Sequence, residues 1–257
     1  MKKCISVVCL CFLVCCMFGF TIPVYAANGS ISANKSYEID LGNETKTFTF
    51  VMPKSGYFYY TITPTQYIVN GEVSDSTTWY LPNTRMTVNY KLYENTSVKY
   101  GETFKSGSYA FKKGTKIKIS LKDTNSDNNK AYYKLKVTTK LPKYFETESN
   151  NTKKTATKIL LNKTYTGISQ QDDKDWWVFS VPKTGKYKIS CVETKDGKTQ
   201  VVKAYEGSKL LSSVSMSSNE GYKTLYKGKL KKGKKIYILL DNGSKDEFYK
   251  LKIKKIG

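Results

Sequence analysis

The stretch Trp177-Val178-Phe179-Ser180-Val181-Pro182-Lys183-Thr184-Gly185 is written twice in this chain. Its earlier counterpart is Phe48-Thr49-Phe50-Val51-Met52-Pro53-Lys54-Ser55-Gly56. In both, large apolar residues fall on every second position, which puts them on one face of a strand. Both runs then end in Pro-Lys-[Ser/Thr]-Gly, where proline presets φ for a turn and glycine is expected to supply a positive φ. Three further pairs follow in the same order. Lys91-Leu92-Tyr93-Glu94-Asn95 matches Lys203-Ala204-Tyr205-Glu206-Gly207, and Phe111-Lys112-Lys113-Gly114 matches Leu230-Lys231-Lys232-Gly233. Tyr132-Tyr133-Lys134-Leu135-Lys136-Val137 matches Phe248-Tyr249-Lys250-Leu251-Lys252-Ile253. Four ordered matches mark an internal duplication.

Working outward, the text from Asn28 to the end reads as strands of Tyr, Val, Ile, Phe and Thr, cut by Gly, Pro, Asn and Asp. The pattern predicts an all-β chain of two tandem antiparallel β-sandwiches, jelly-roll-like, over residues 27–140 and 141–257. One short helical turn is expected over Asn151 to Lys158, capped by asparagine. Between its early hairpin and Lys91 the first copy carries an insertion holding Tyr67, Trp79 and Tyr80. Connections change length more readily than strand cores do.

Residues 1–26 run from Lys2 and Lys3 through an apolar stretch to Val24-Tyr25-Ala26, the order of a secretory signal peptide, with cleavage expected after Ala26. The apolar stretch is shorter than a membrane span, so no transmembrane segment is expected after cleavage. Five of the six cysteines lie in this leader, and only Cys191 would remain. The exported chain would therefore hold no disulfide, and roughly 230 residues must be stabilised by two cores of about 115 residues each. Cys191 closes an apolar-alternating run and reads as a buried small hydrophobe.

The net charge of +22 comes almost wholly from lysine, with Arg85 the single arginine. Specific nucleic-acid readers use arginine's planar fork for guanine and phosphate, so no nucleic-acid partner is expected. The positive field suits residence near polyanionic wall polymers. Histidine is absent, which excludes Ser-His-Asp and Cys-His chemistry and the common zinc sites.

The second copy opens with Glu146-Thr147-Glu148-Ser149-Asn150-Asn151, followed by Asp172-Asp173-Lys174-Asp175-Trp176-Trp177-Val178-Phe179. From about Tyr144 to Gly257 it resembles the bacterial pre-peptidase C-terminal domain, a secreted β-sandwich related to the collagen-binding domains of clostridial collagenases. The first copy resembles that family only through the second. The resemblance implies a calcium ion held by Glu146, Glu148, Asn150, Asn151, Asp172 and Asp175. The chemistry is sensible, because a hard cation takes six to eight oxygens and crowded aspartates repel one another until neutralised. It also implies a non-catalytic domain, here without the enzyme it usually accompanies.

The expected function is that of a secreted or cell-surface-associated, non-enzymatic protein. It would bind an extracellular polysaccharide, a cell-wall polymer or a fibrous, collagen-like protein, with Tyr67, Trp79 and Tyr80 as exposed aromatic contacts. The rival reading is an accessory folding or inhibitory partner of secreted enzymes. Trp176 and Trp177 should face opposite ways on one strand, Trp177 toward the core.

Overall fold

The computed structural model describes residues 28–41, 44–73, 83–89, 91–98, 101–122, 130–170, 173–194, 200–217, 220–241 and 247–257. The expected signal peptide, Trp79, Tyr80 and Asp172 lie outside them. Among the described residues no helix is long and apolar enough to cross a membrane.

The first half contains β1 (Gly29–Ile31), β2 (Ser36–Asp40), β3 (Thr45–Val51), β4 (Gly56–Val69), β5 (Glu72–Val73) and β6 (Asn83–Val88). It continues with β7 (Lys91–Ser97), β8 (Phe104–Lys105), β9 (Tyr109–Phe111), β10 (Lys116–Lys122) and β11 (Lys130–Lys140). The second half contains β12 (Thr157–Lys158), β13 (Thr164–Ser169), β14 (Lys174–Ser180), β15 (Gly185–Glu193) and β16 (Gln200–Glu206). It ends with β17 (Lys209–Met216), β18 (Lys223–Leu230), β19 (Lys235–Asp241) and β20 (Glu247–Lys255).

The chain is all-β, and the two halves share one topology. The sheet ordered β1-β3-β10-β6-β7 is repeated as β12-β14-β19-β16-β17, and β2-β11-β4 is repeated as β13-β20-β15. The last strand of the second set, β18, is continuous, whereas its counterpart is broken into β8 and β9, both paired with β4. The sheets are not purely antiparallel: the short β1 and β12 pair in parallel with β3 and β14. No helical turn forms at residues 151–158. A tight turn stands there, with Thr155 N donating to Thr152 O at 3.1 Å and the two hydroxyls 2.9 Å apart, before the chain enters β12. Threonine side chains that bond the local backbone compete with helix in this way.

Each half closes its own core between two sheets. The first draws on residues from Ile31 to Val137, with Phe50 and Phe58 stacked at 5.4 Å across the sheets. The second draws on Ile159 to Ile253, with Trp177 completely buried. A third, smaller apolar cluster joins the halves: Ala110 meets Phe145 and Ile168, and the Tyr57 ring lies 5.1 Å from that of Phe248. Cys191 is buried, and burial pushes its thiol up to about 12.

The repeated glycines separate into two kinds. Gly114 and Gly233 adopt positive φ, 83° and 82°, as their turns require. Gly56 and Gly185 do not. They are needed because a Cβ at Gly56 would strike Lys140 O and one at Gly185 would lie 2.6 Å from Gly257 O, where the last strand of each half passes.

The neighbouring tryptophans test the core assignment. Trp177→Ala should cost about 3–5 kcal/mol in denaturant unfolding, and Trp176→Ala about 1 kcal/mol. Equal losses would contradict it.

Candidate functional site

The segment 144–151 is held against the second sandwich at both ends. Thr166 N donates to Tyr144 O at 2.9 Å and Glu146 N to Thr166 O at 3.1 Å, so Phe145 and Thr166 form a parallel bridge. Farther on, Trp176 N donates to Asn150 O at 2.9 Å. These bonds carry Glu146, Glu148 and Asn150 to the inner side of β14, where Asp175 shares the inward parity of Trp177 and Phe179.

One carboxylate oxygen from each of Glu146, Glu148 and Asp175 lies within 4.8 Å of the other two. Glu146 is fixed on both oxygens: Ile168 N donates to Oε1 at 2.7 Å and Tyr249 Oη to Oε2 at 2.8 Å. Tyr249 in turn accepts from Trp177 Nε1 at 3.0 Å. Gly167 leaves the space for this pair, since a Cβ there would come within 2.6 Å of Glu146 Oε2. Among the described residues, Glu148 Oε1, Asp175 Oδ1 and both amide atoms of the fully buried Asn150 are buried without a hydrogen bond of normal geometry.

Burial raises all three carboxyls well above their ordinary values. For Glu146 and Glu148 the charge of Asp175 is the next cause, and for Asp175 it is the charge of Asp173. Two buried carboxylates and one half-buried one, repelling one another beside a buried amide, are costly unless protonated or neutralised. An all-oxygen donor set of this kind fits a hard divalent cation. Glu146, Glu148, Asp175 and the side-chain Oδ1 of Asn150 are the groups that would hold it.

The other expected ligands fare differently. Asn151 is exposed and gives its amide nitrogen to Asp173 Oδ1, which Lys174 N also reaches at 2.9 Å. It braces Asp173 and is not gathered with the buried carboxylates. Asp172 lies outside the described residues. Of the aromatic contacts, Tyr67 is 2% exposed and belongs to the first core, so it presents no ring to a ligand. Its place near the end of the long β4, paired opposite Ala131, turns it inward.

A different aromatic group stands on the outer face of β14, β16 and β19. The half-buried Trp176 lies 5.8 Å from Tyr205 and 6.4 Å from Tyr237, and Lys153 Nζ sits 5.1, 5.0 and 5.6 Å from the three ring centroids. Lys153 also donates to Gly207 O at 2.8 Å. The alternation of β14 signals Trp176, but Lys153 meets the rings only through the fold.

No protein-family model matches the chain, and no curated protein matches it. Among solved structures it is similar to the pre-peptidase C-terminal domain of a Bacillus anthracis collagenase at 23% identity and TM-score 0.31, over 38% of this chain and 93% of that one. The tandem CBM51 modules of a family 98 glycoside hydrolase from Streptococcus pneumoniae align at 8% identity and TM-score 0.26, over 86% and 84%. The CUB1-EGF-CUB2 domain of human MASP-1/3 aligns at 8% and 0.24, over 86% and 100%. TM-scores this low carry nothing over to this chain, whose β-sandwich fold stands on its own strands.

A carboxyl with a raised folded value binds its proton more tightly in the folded chain than in the unfolded one. Its favourable contribution is therefore present at low pH and lost as pH rises from the ordinary values of 3.8 and 4.5 through the raised ones. In chelator, this cluster should lower the melting temperature as pH climbs from that range toward neutrality, and millimolar calcium should reduce the fall. Asp175→Asn should raise the metal-free melting temperature at neutral pH and abolish the calcium shift. A variant that still responds fully to calcium would refute the site.

Proposed function

We propose that this protein is a secreted, non-catalytic binding protein built of two sandwich modules, 27–140 and 141–257. It attaches to an extracellular polymer such as cell-wall glycan, polysaccharide or a collagen-like protein. The carrying observation is the Trp176–Tyr205–Tyr237 group on the outer face of the second sandwich, held in place by Lys153. Partly exposed aromatic rings on a rigid sheet offer large contact area at little conformational cost, which suits sugar rings and ridged fibrous proteins.

The buried carboxylates support this reading against hydrolysis. A glycosidase needs two carboxyls flanking an accessible scissile bond. Here Glu146 and Asp175 are 1% and 2% exposed, and Glu146 is already bonded on both oxygens. In this reading a calcium ion neutralises them and fixes the segment 146–151, and with it Lys153 and the backbone bond to Trp176. The ion is structural support for the binding face.

Retention of the full chain on insoluble peptidoglycan, chitin and collagen, at physiological salt with calcium, tests the proposal. Trp176→Ala should reduce retention about tenfold, the loss of about 1.4 kcal/mol, with the circular dichroism spectrum unchanged. Calcium at a hundredfold its dissociation constant should add about 2.7 kcal/mol of stability. Failure to bind any matrix, or equal retention of the variant, would overturn the aromatic face as the contact.

A further inference from the structure

Where the two sandwiches meet, a cleft of about 210 Å³ opens between Lys91, Tyr93 and Lys112 on the first and Glu148, Gln170 and Asp173 on the second. We propose that this cleft is a second binding site, separate from the aromatic face, and that it takes a small acidic sugar. Both halves are needed to form it, and the contacts joining them lie beside it. Ala110, part of its lining, packs in the Phe145–Ile168 cluster, and Gln170 Nε2 donates across the junction to Ala110 O at 3.4 Å.

Three features define the ligand. The volume is several water molecules' worth and falls below that of drug-sized pockets, so it admits a single small ring. The Tyr93 ring, half-buried and packed edge-on against Tyr109 and Phe111 at 5.4 Å each, gives a rigid apolar wall suited to the C–H face of a sugar. Gln170 gives the wall a polar side chain, its nitrogen shared between Ala110 O at 3.4 Å and Asp173 Oδ2 at 3.3 Å.

The charges supply the acidic preference. One wall carries two lysines and the other two carboxylates, and Lys91 Nζ stands 5.7 Å from the Tyr93 ring centroid, at the cleft. Glu148 belongs both to this wall and to the buried carboxylate group. When a cation takes Glu148, the lysines are opposed in the cleft by Asp173 alone, and an oxyanion on the ligand restores the balance. The cleft should therefore favour a carboxylate or phosphate ester on a sugar, and more so with calcium bound.

Calorimetric titration of the full chain with glucuronate, glucose 6-phosphate, uncharged glucose and inorganic phosphate, in calcium and in chelator, tests this. Both acidic sugars should bind in calcium, with glucose and inorganic phosphate each at least tenfold weaker. Lys91→Met with Lys112→Met should lower acidic-sugar affinity at least tenfold at an unchanged melting temperature. Lys231→Met with Lys232→Met, at the matching turn of the second copy and away from the cleft, should leave it unchanged. Equal loss in both double variants would mean diffuse attraction to a lysine-rich surface and would overturn the site. Phosphate binding as tightly as the sugars would overturn the sugar assignment. Trp176→Ala should keep acidic-sugar binding, which separates this proposal from the polymer-binding face.

Discussion

A chain of three hydrogen-bonding groups ties the interior of the second sandwich to its acidic edge: Trp177 Nε1 gives to Tyr249 Oη, which gives to Glu146. A buried indole N–H, a buried phenol and a buried carboxylate would each be costly alone, and together they satisfy one another. The tryptophan that anchors the core therefore also orients the first carboxylate of the acidic group. Asp175 sits two residues earlier on the same face of β14, so the alternation that builds the core delivers the second carboxylate to the same place. The acidic group is an extension of the core pattern into the end of the sandwich.

The two copies show what this arrangement requires. Tyr133 stands where the second copy has Tyr249, and Phe48 where it has Trp177, so the first copy keeps the aromatic packing without the indole donor. Lys46 occupies the strand position of Asp175. A lysine at that point cannot share a cation with carboxylates. The same frame has been kept for packing in one half and loaded with charge in the other.

Much of the fold could be read from residue order because period-two alternation and turn residues report on the chain locally. The duplicated strands, the inward Trp177, the outward Trp176 and the buried Cys191 all follow from parity. What depended on distant contacts could not be read in this way. Gly56 and Gly185 look like turn glycines but are close-approach glycines, a property set by the last strand of each half. Tyr67 looks available within an aromatic-bearing insertion, yet its pairing in β4 sends it into the core. Within the site, Glu146, Glu148, Asn150 and Asp175 entered as ligands that the family resemblance implies, carried by the acidic opening and the aspartates ahead of Trp176. The bracing of Asp173 by Asn151, the closure by Tyr249 and the approach of Lys153 to three rings join residues from separate elements, and no local pattern announces them.

The unbroken strand β18 gives the lysine surplus another meaning. Among the described residues it is the outer strand of its sheet, with one row of backbone donors and acceptors unused by a neighbour in that sheet. Lys227 and Lys229 project from it as exposed side chains, and Lys223 stands at its start. An open strand edge invites another chain to add to it, and lysine at such an edge makes that addition repulsive and costly to desolvate. A protein with no disulfide among its described residues, and with β-structure throughout, is exposed to this hazard whenever it unfolds and refolds. Charge along the margin then acts as a guard against self-association.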